Sequence, residues 1–337
     1  MASPIIKIKA LDFPWQTSDP FLFCVHHADN YPKGNDQMGP DESLAGRNIG
    51  QDFTLKDGWR MYHGETVPGF PAHPHRGFET VTIAKNGLID HSDSLGAAAR
   101  FGYGDVQWMT AGKGVQHSEM FPLLDRENRN MLELFQIWLN LPKANKLVEP
   151  HFAMLWSDNI PTLEYDDENG KKTIVDVIAG KLDDTLAAAP APKSWAADPA
   201  NDVAIWTIAM ESGAEWTIPE GQEGSNRTVY FFEGDNLKIA DQSIRPYHGV
   251  ELQANSEVTI KNDGEPARLL LLQGKPIGEP VAQYGPFVMN TQNEIQEAMN
   301  DYQSTQFGGW PWPSHDHVHP REMGRFAKHV DGREEVK

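Results

Sequence analysis

A single cysteine, Cys24, stands among 337 residues, which excludes an intrachain disulfide framework and removes any pointer to an oxidising compartment. Within Phe21-Leu22-Phe23-Cys24-Val25 the thiol is expected as a small buried residue, not as a redox group. Long apolar runs are missing as well: no stretch nears the roughly 20 residues a membrane helix needs. The opening Met-Ala-Ser-Pro-Ile-Ile-Lys-Ile-Lys lacks the apolar core of a signal peptide. A soluble, cytoplasmic protein without membrane contact is the expectation. Positive charge is scarce, with 29 Lys and Arg against 48 Asp and Glu and a formal net charge of -19. Such a surface repels phosphate, so direct nucleic-acid binding is not expected beyond what one local basic patch could provide.

Turn formers are abundant, with 29 Gly and 24 Pro. They separate short runs rich in β-branched and aromatic residues: 79–84, 88–91, 105–110, 134–139, 172–178, 203–210, 228–232, 257–260 and 267–272. Strands at this spacing, without long helices between them, predict an all-β sandwich or barrel. Asn86-Gly87 between two such runs reads as a hairpin turn. The strand-then-glycine pattern of Val81 to Gly87 recurs at Val229 to Gly234, which suggests two similar barrels. The polar, proline-containing segment 140–146 is the natural connector. The Ala/Pro-rich stretch 187–201 reads as a long loop. One helix is expected late, capped by Asn290 or Thr291, with Ile295, Met299 and Tyr302 as its apolar stripe and an end near Phe307-Gly308-Gly309. Beyond it, residues 310–337 read as an extended or partly disordered tail.

Two short motifs carry the chemistry. In His73-Pro74-His75, alternate side chains of a strand share one face, so both imidazoles aim the same way. His117-Ser118-Glu119 repeats that spacing. Two strands, each presenting such a pair, can bring four ligands to one point. Neutral imidazole suits Fe, Zn, Cu and Ni, and a carboxylate adds a hard, charged oxygen. Four protein ligands leave two positions of an octahedron open, an arrangement similar to the His-plus-carboxylate sites of non-haem iron oxygenases. Glu79 is the alternative carboxylate, although Arg76-Gly77 interrupts the strand between it and His75.

The sequence around these motifs resembles the pirin family, a branch of the cupin superfamily. The resemblance lies in His73-Pro74-His75-Arg76-Gly77-Phe78-Glu79-Thr80-Val81-Thr82, in Gly104 to Glu119, and in Tyr284-Gly285-Pro286-Phe287-Val288-Met289-Asn290-Thr291. It implies an all-β bicupin of two double-stranded β-helix (jelly-roll) barrels with a C-terminal helix and tail. The implied division is 1–143 for the metal-binding cupin, 144–309 for a cupin without metal ligands, and 310–337 for the tail. It also implies His73, His75, His117 and Glu119 as ligands of one divalent metal per chain, iron(II) first, with Zn, Cu, Mn, Ni or Co open. The matching region of the second barrel, Gly221 to Arg227, has no paired histidines.

Similarity to members with quercetin 2,3-dioxygenase activity implies an oxygenase that takes O2 and a flavonol or related small aromatic substrate. Glu119 would then be a catalytic proton acceptor as well as a ligand. Other members act as iron-dependent transcription co-regulators, so an iron-binding regulatory or redox-sensing protein working through a protein partner is the alternative. Segments 35–53 and 186–200 are longer than in a typical member and could reshape the mouth of the site.

The remaining candidates have plainer readings. His315, His317 and His319 could form a labile second metal site, but a polar surface segment is the simpler expectation. His26, His27, His63, His91, His151 and His248 lack paired spacing and read as ordinary polar residues. Arg76 either brings positive charge to the site or pairs with a carboxylate. Trp108, Trp310 and Trp312 read as packing residues. Phe53, Met61 and Phe78 are candidates for an apolar pocket lining.

Overall fold

The computed structural model describes residues 3–337, and strands dominate it, with Gln292–Thr305 the one α-helix among the described residues. The chain forms two compact units. One takes the residues up to Cys24, Trp138–Asn140 and Asp158–Gly278; the other takes Val25–Ile137, Leu141–Ser157 and Glu279–Lys337. No helix among the described residues is long and apolar enough to cross a membrane.

The first unit pairs a seven-stranded sheet with a four-stranded one. The seven-stranded sheet runs Ile5–Ala10, His248–Gln253, Asn226–Glu233, Ala267–Gly274, Ala204–Met210, Lys172–Ala179, Thr162–Asp166. Alternate residues such as Trp206, Ile208, Phe231, Leu269 and Leu271 meet Ile260 and Ile218 of the smaller sheet in an apolar core. Side chains of this size each contribute about 1.5–3 kcal/mol on burial. Cys24, on strand Phe21–Tyr31, is fully buried, and burial pushes its thiol pKa up, so it is an inert packing residue as expected.

The second unit holds the greater part of a five-stranded sheet ordered His151–Leu155, Val106–Thr110, Phe78–Asn86, Asn130–Asn140, Phe21–Tyr31. Its six-stranded sheet is ordered Glu334–Val336, Phe326–Lys328, Ala98–Gly102, Leu88–Asp93, Val115–Met120, Gly69–His75. Asn86-Gly87 does not close a hairpin: Phe78–Asn86 belongs to the first of these sheets and Leu88–Asp93 to the second. The chain changes sheet at this corner. Gly87 sits at φ 76, and a Cβ there would lie 2.6 Å from the Met131 carbonyl oxygen, so the sheet switch demands glycine as strictly as a tight hairpin would.

The helix follows its sequence signals. Thr291 accepts from the Glu294 amide at 3.2 Å, and the Glu294 carboxylate accepts from the Thr291 amide at 2.9 Å, a reciprocal cap. Ile295 and Ala298 are buried, with Met299 and Tyr302 packed beside them against Phe287, Met289 and Phe307.

Residues 310–337, expected as an extended or partly disordered tail, are mostly outside regular structure but are anchored to the sheet. Phe326–Lys328 pairs with Ala98–Gly102 and Glu334–Val336 pairs with Phe326–Lys328, which extends the six-stranded sheet. Arg100, fully buried, fastens the segment. Its Nε and Nη2 donate to Asp90 at 2.6 and 2.7 Å, and the remaining N–H groups donate to the carbonyls of His319, Pro320 and Met323 at 2.9, 2.9 and 2.8 Å. All five guanidinium donors are thereby used.

Candidate metal centre

Strand register brings the histidines together. His73 lies directly across from His117, and His75 across from Val115. On the other edge of Val115–Met120, Asp93 faces His117 and His91 faces Glu119. Residues opposite one another in antiparallel strands point to the same side, so one sheet face carries all of these groups. A bulge between Phe70 and His73 resets the alternation and keeps Phe70, the partner of Glu119, on that face too.

The three imidazoles converge. Ring centroids are 4.5 Å apart for His73–His117, 4.7 Å for His73–His75 and 4.9 Å for His75–His117. One ring nitrogen from each lies within 4.8 Å of the others, and no further such group occurs among the described residues. His73 Nδ1–H donates to the Pro71 carbonyl at 2.9 Å, and the His75 ring is hydrogen-bonded to the Pro286 backbone. Backbone bonds of this kind fix a ring's tautomer and leave its other nitrogen to bind. Both ring nitrogens of His117 are buried without a hydrogen-bond partner. Leaving such a group unsatisfied costs about 1–3 kcal/mol, and a cation shared with His73 and His75 would satisfy it.

Burial also keeps the rings neutral. It holds His73 down to about 4 and His75 and His117 well below the usual histidine value, with neighbouring imidazoles adding to the effect. Neutral rings near pH 7 are the form that binds metal. These residues therefore fit a divalent transition metal.

Glu119 stands beside the cluster but outside it. Its Oε2 is 3.9 Å from His117 Nε2. Thr82 Oγ1 donates to Oε1 at 3.1 Å and Gln136 Nε2 donates to Oε2 at 3.0 Å. Burial raises the carboxyl pKa, opposed by the charge of His91 and by those two hydrogen bonds. Glu79, the alternative carboxylate, alternates to the opposite sheet face from Thr80 and Thr82 and accepts from Thr110 Oγ1 at 2.7 Å. It does not reach the histidines.

His91 was expected to be an ordinary polar residue, and the structure instead makes it a wall of the site. It is fully buried, its ring 5.5 Å from that of His117, stacked on Phe152 at 5.1 Å, with Nε2 3.5 Å from Asp93 Oδ2. Thr82 and Gln136 also escaped the sequence reading. Only the two-residue alternation of Phe78–Asn86 and Leu88–Asp93 could have signalled Thr82 and His91.

Phe53 is 40% exposed on one flank, 5.0 Å from the His63 ring and 6.3 Å from Phe70, which in turn lies 6.4 Å from His73. Met61 and Phe78 are fully buried; Phe78 packs 5.1 Å from the His75 ring. Arg76 pairs with a carboxylate: Nη1 donates to Asp301 at 2.8 Å, and its Nε donates to the Lys113 carbonyl at 2.6 Å. The turn beside it is shaped by Gly77, at φ 86, where a Cβ would sit 1.9 Å from the Val288 carbonyl oxygen. This explains why the motif at 284–289 accompanies the one at 73–82: the two segments are in direct contact.

The tail histidines serve packing. His319 Nε2 donates to the His91 carbonyl at 2.9 Å, His317 stacks on Trp312 at 5.2 Å, and the His315 carbonyl accepts from the Ala72 amide at 2.8 Å.

Comparison with known proteins agrees with this architecture. Residues 14–139 match the pirin domain and residues 205–308 the pirin C-terminal cupin domain. The chain is 40% identical over 245 residues to Pirin-1 of Arabidopsis thaliana, covering 71% of this chain and 78% of that protein. It is 34% identical over 252 residues to human Pirin, covering 73% and 80%. Among solved structures it is similar to quercetin 2,3-dioxygenase from Acinetobacter baumannii, with a TM-score of 0.71, 27% identity, and coverage of 92% of this chain and 99% of that one. A bicupin whose three-histidine cluster lies within the pirin-matching residues, this chain belongs to the pirin family.

Proposed function

We propose that this protein is a metal-dependent oxygenase of flavonol-like aromatic substrates, quercetin being the first to test, with iron(II) held by His73, His75, His117 and Glu119. The observation that carries the proposal is the convergence of three neutral imidazoles, His75 and His117 buried and His73 half-buried, beside a carboxylate 3.9 Å from one of them. The substrate class is supported by the similarity to the Acinetobacter dioxygenase and by the aromatic flank at Phe53, His63 and Phe70. Iron(II) suits a mixed imidazole and carboxylate donor set with open positions.

A divalent metal in this place supplies Lewis acidity and a template for a substrate hydroxyl and carbonyl. The protein's own groups do the rest. The carbonyl of Pro71 and the backbone of Pro286 hold two ligand rings in orientation. Glu119, whose burial raises its proton affinity, takes the substrate hydroxyl proton. Phe53 and Phe70 offer faces against which a planar ring can pack.

Oxygen consumption by iron-loaded protein with quercetin, compared with His73→Ala, tests the proposal. Turnover is expected in the parent and loss of at least a hundredfold in the variant. Equal turnover in both would sink it. Tight metal binding without turnover would favour an iron-binding regulator that acts through a protein partner.

A further inference from the structure

The strand Phe78–Asn86 runs past the histidines, and one of its side chains on that side carries a polar group the fold leaves unused. Phe78 packs 5.1 Å from the His75 ring, and Thr82 donates to Glu119 Oε1 at 3.1 Å. Alternation puts Thr80 between them on the same face. Gln107, on Val106–Thr110, lies directly across from Thr82 and so points to that face as well. Both residues are fully buried. Thr80 Oγ1 and both polar atoms of the Gln107 carboxamide have no hydrogen-bond partner. His91 Nδ1 has none either, and its ring stands 5.5 Å from that of His117. Buried polar side chains as a rule find a partner, because leaving one without costs stability. The fold thus keeps donors and acceptors beside the metal centre that it does not itself satisfy.

We infer that Thr80 and Gln107 form a polar subsite for a hydroxylated edge of the substrate, and that they select aromatic substrates with hydroxyls beyond the one that meets the metal. The inference rests on the proposed flavonol-like substrate class and narrows it. The carboxamide offers N–H donors and an oxygen acceptor, and the threonine hydroxyl offers one of each. A phenol hydroxyl is likewise donor and acceptor, so it satisfies both residues, whereas a bare ring leaves them unpaired. Neither residue is charged, which suits a neutral phenol better than a carboxylate or phosphate, whose burial here would call for a cation. The same sheet row continues from Thr80 to Met109 and Phe152, which supply apolar surface for the ring itself.

The test compares full-length Thr80→Val and Gln107→Met, singly and together, with the parent in two measurements. Both substitutions keep the shape of the side chain and remove only polar atoms that have no partner in the fold. Urea unfolding of the metal-free proteins is therefore expected to show midpoints equal to the parent's or higher. A lowered midpoint in Thr80→Val would mean that its hydroxyl serves the fold, and overturns the inference. The second measurement is fluorescence titration of zinc-loaded protein with quercetin and with 3-hydroxyflavone. The latter keeps the hydroxyl and carbonyl that meet the metal and lacks the other hydroxyls. The double variant is expected to bind quercetin at least about tenfold more weakly and 3-hydroxyflavone within about twofold of the parent, so the parent's preference for quercetin collapses. Equal weakening of both probes overturns the inference, as does a preference that the double variant retains. A parent that binds neither flavonol overturns the proposed substrate class and the subsite with it, a distinguishable result.

Discussion

Replacing Arg100 with Met would show how firmly the C-terminal segment is joined to the metal-bearing sheet. Arg100 is fully buried and makes a two-bond ion pair with Asp90. Its other donors reach the carbonyls of His319, Pro320 and Met323. Removing one partner of a buried ion pair costs about 3–5 kcal/mol. The segment relieves that penalty by undocking, so the loss is expected as easier local opening of 310–337, by about 4 kcal/mol. Trypsin reads this directly, because Arg321, Arg325 and Lys328 lie in the segment and are cut when it opens. With opening fast relative to cleavage, the rate follows the open population and rises about a thousandfold. Adding Asp90→Asn to Arg100→Met removes the uncompensated carboxylate and should recover part of the protection. A rise below about tenfold in Arg100→Met would refute the reasoning, since it would leave the five hydrogen bonds without energetic weight.

Other expectations follow from particular residues. His27 is held down to about 3, mainly by burial with Arg60 and His26 adding, so the unfolded chain binds more protons and stability falls as pH drops from about 6.5 towards 3. Asp29, linked to His27 through Tyr62 and pushed up to about 6 by burial, works in the opposite sense below pH 6, because there the folded chain holds the extra proton. His27→Gln should therefore remove a destabilising slope of about 1.4 kcal/mol per pH unit in a urea-unfolding series, and an unchanged slope contradicts the assignment. Gly77→Ala forces a Cβ to within 1.9 Å of the Val288 carbonyl oxygen at a positive φ, so a loss of metal affinity together with a lower unfolding midpoint is expected. A folded variant that binds metal like the parent would contradict it. Phe53→Ala should raise the KM for quercetin several-fold with little change in kcat, a kinetic split that fails if Phe53 does not touch substrate.

Much of this fold was legible because local patterns agree with it. The runs at 79–84, 172–178, 203–210 and 267–272 all became strands, and Thr291 with Glu294 marks the helix start. The histidines were legible because alternate spacing on strands puts a pair on one face whatever the rest of the chain does. What escaped depends on contacts between segments far apart in sequence. The sheet change at Gly87 uses the same residues as a hairpin, and only the pairing of Leu88–Asp93 with Val115–Met120 distinguishes them. The packed tail depends on Arg100, more than 200 positions away, and its own Pro, His and charged residues look like solvated coil. His91, Thr82 and Gln136 reach the site from three strands that carry no shared spacing.

The central claim is that three histidines from neighbouring strands share one cation. X-ray absorption on iron(II)-loaded protein, with iron counted per chain, tests it most directly. One iron per chain with three imidazole nitrogens is expected, falling to two or to no bound iron in His117→Ala. An iron shell without histidine, or an identical shell in His117→Ala, would contradict it.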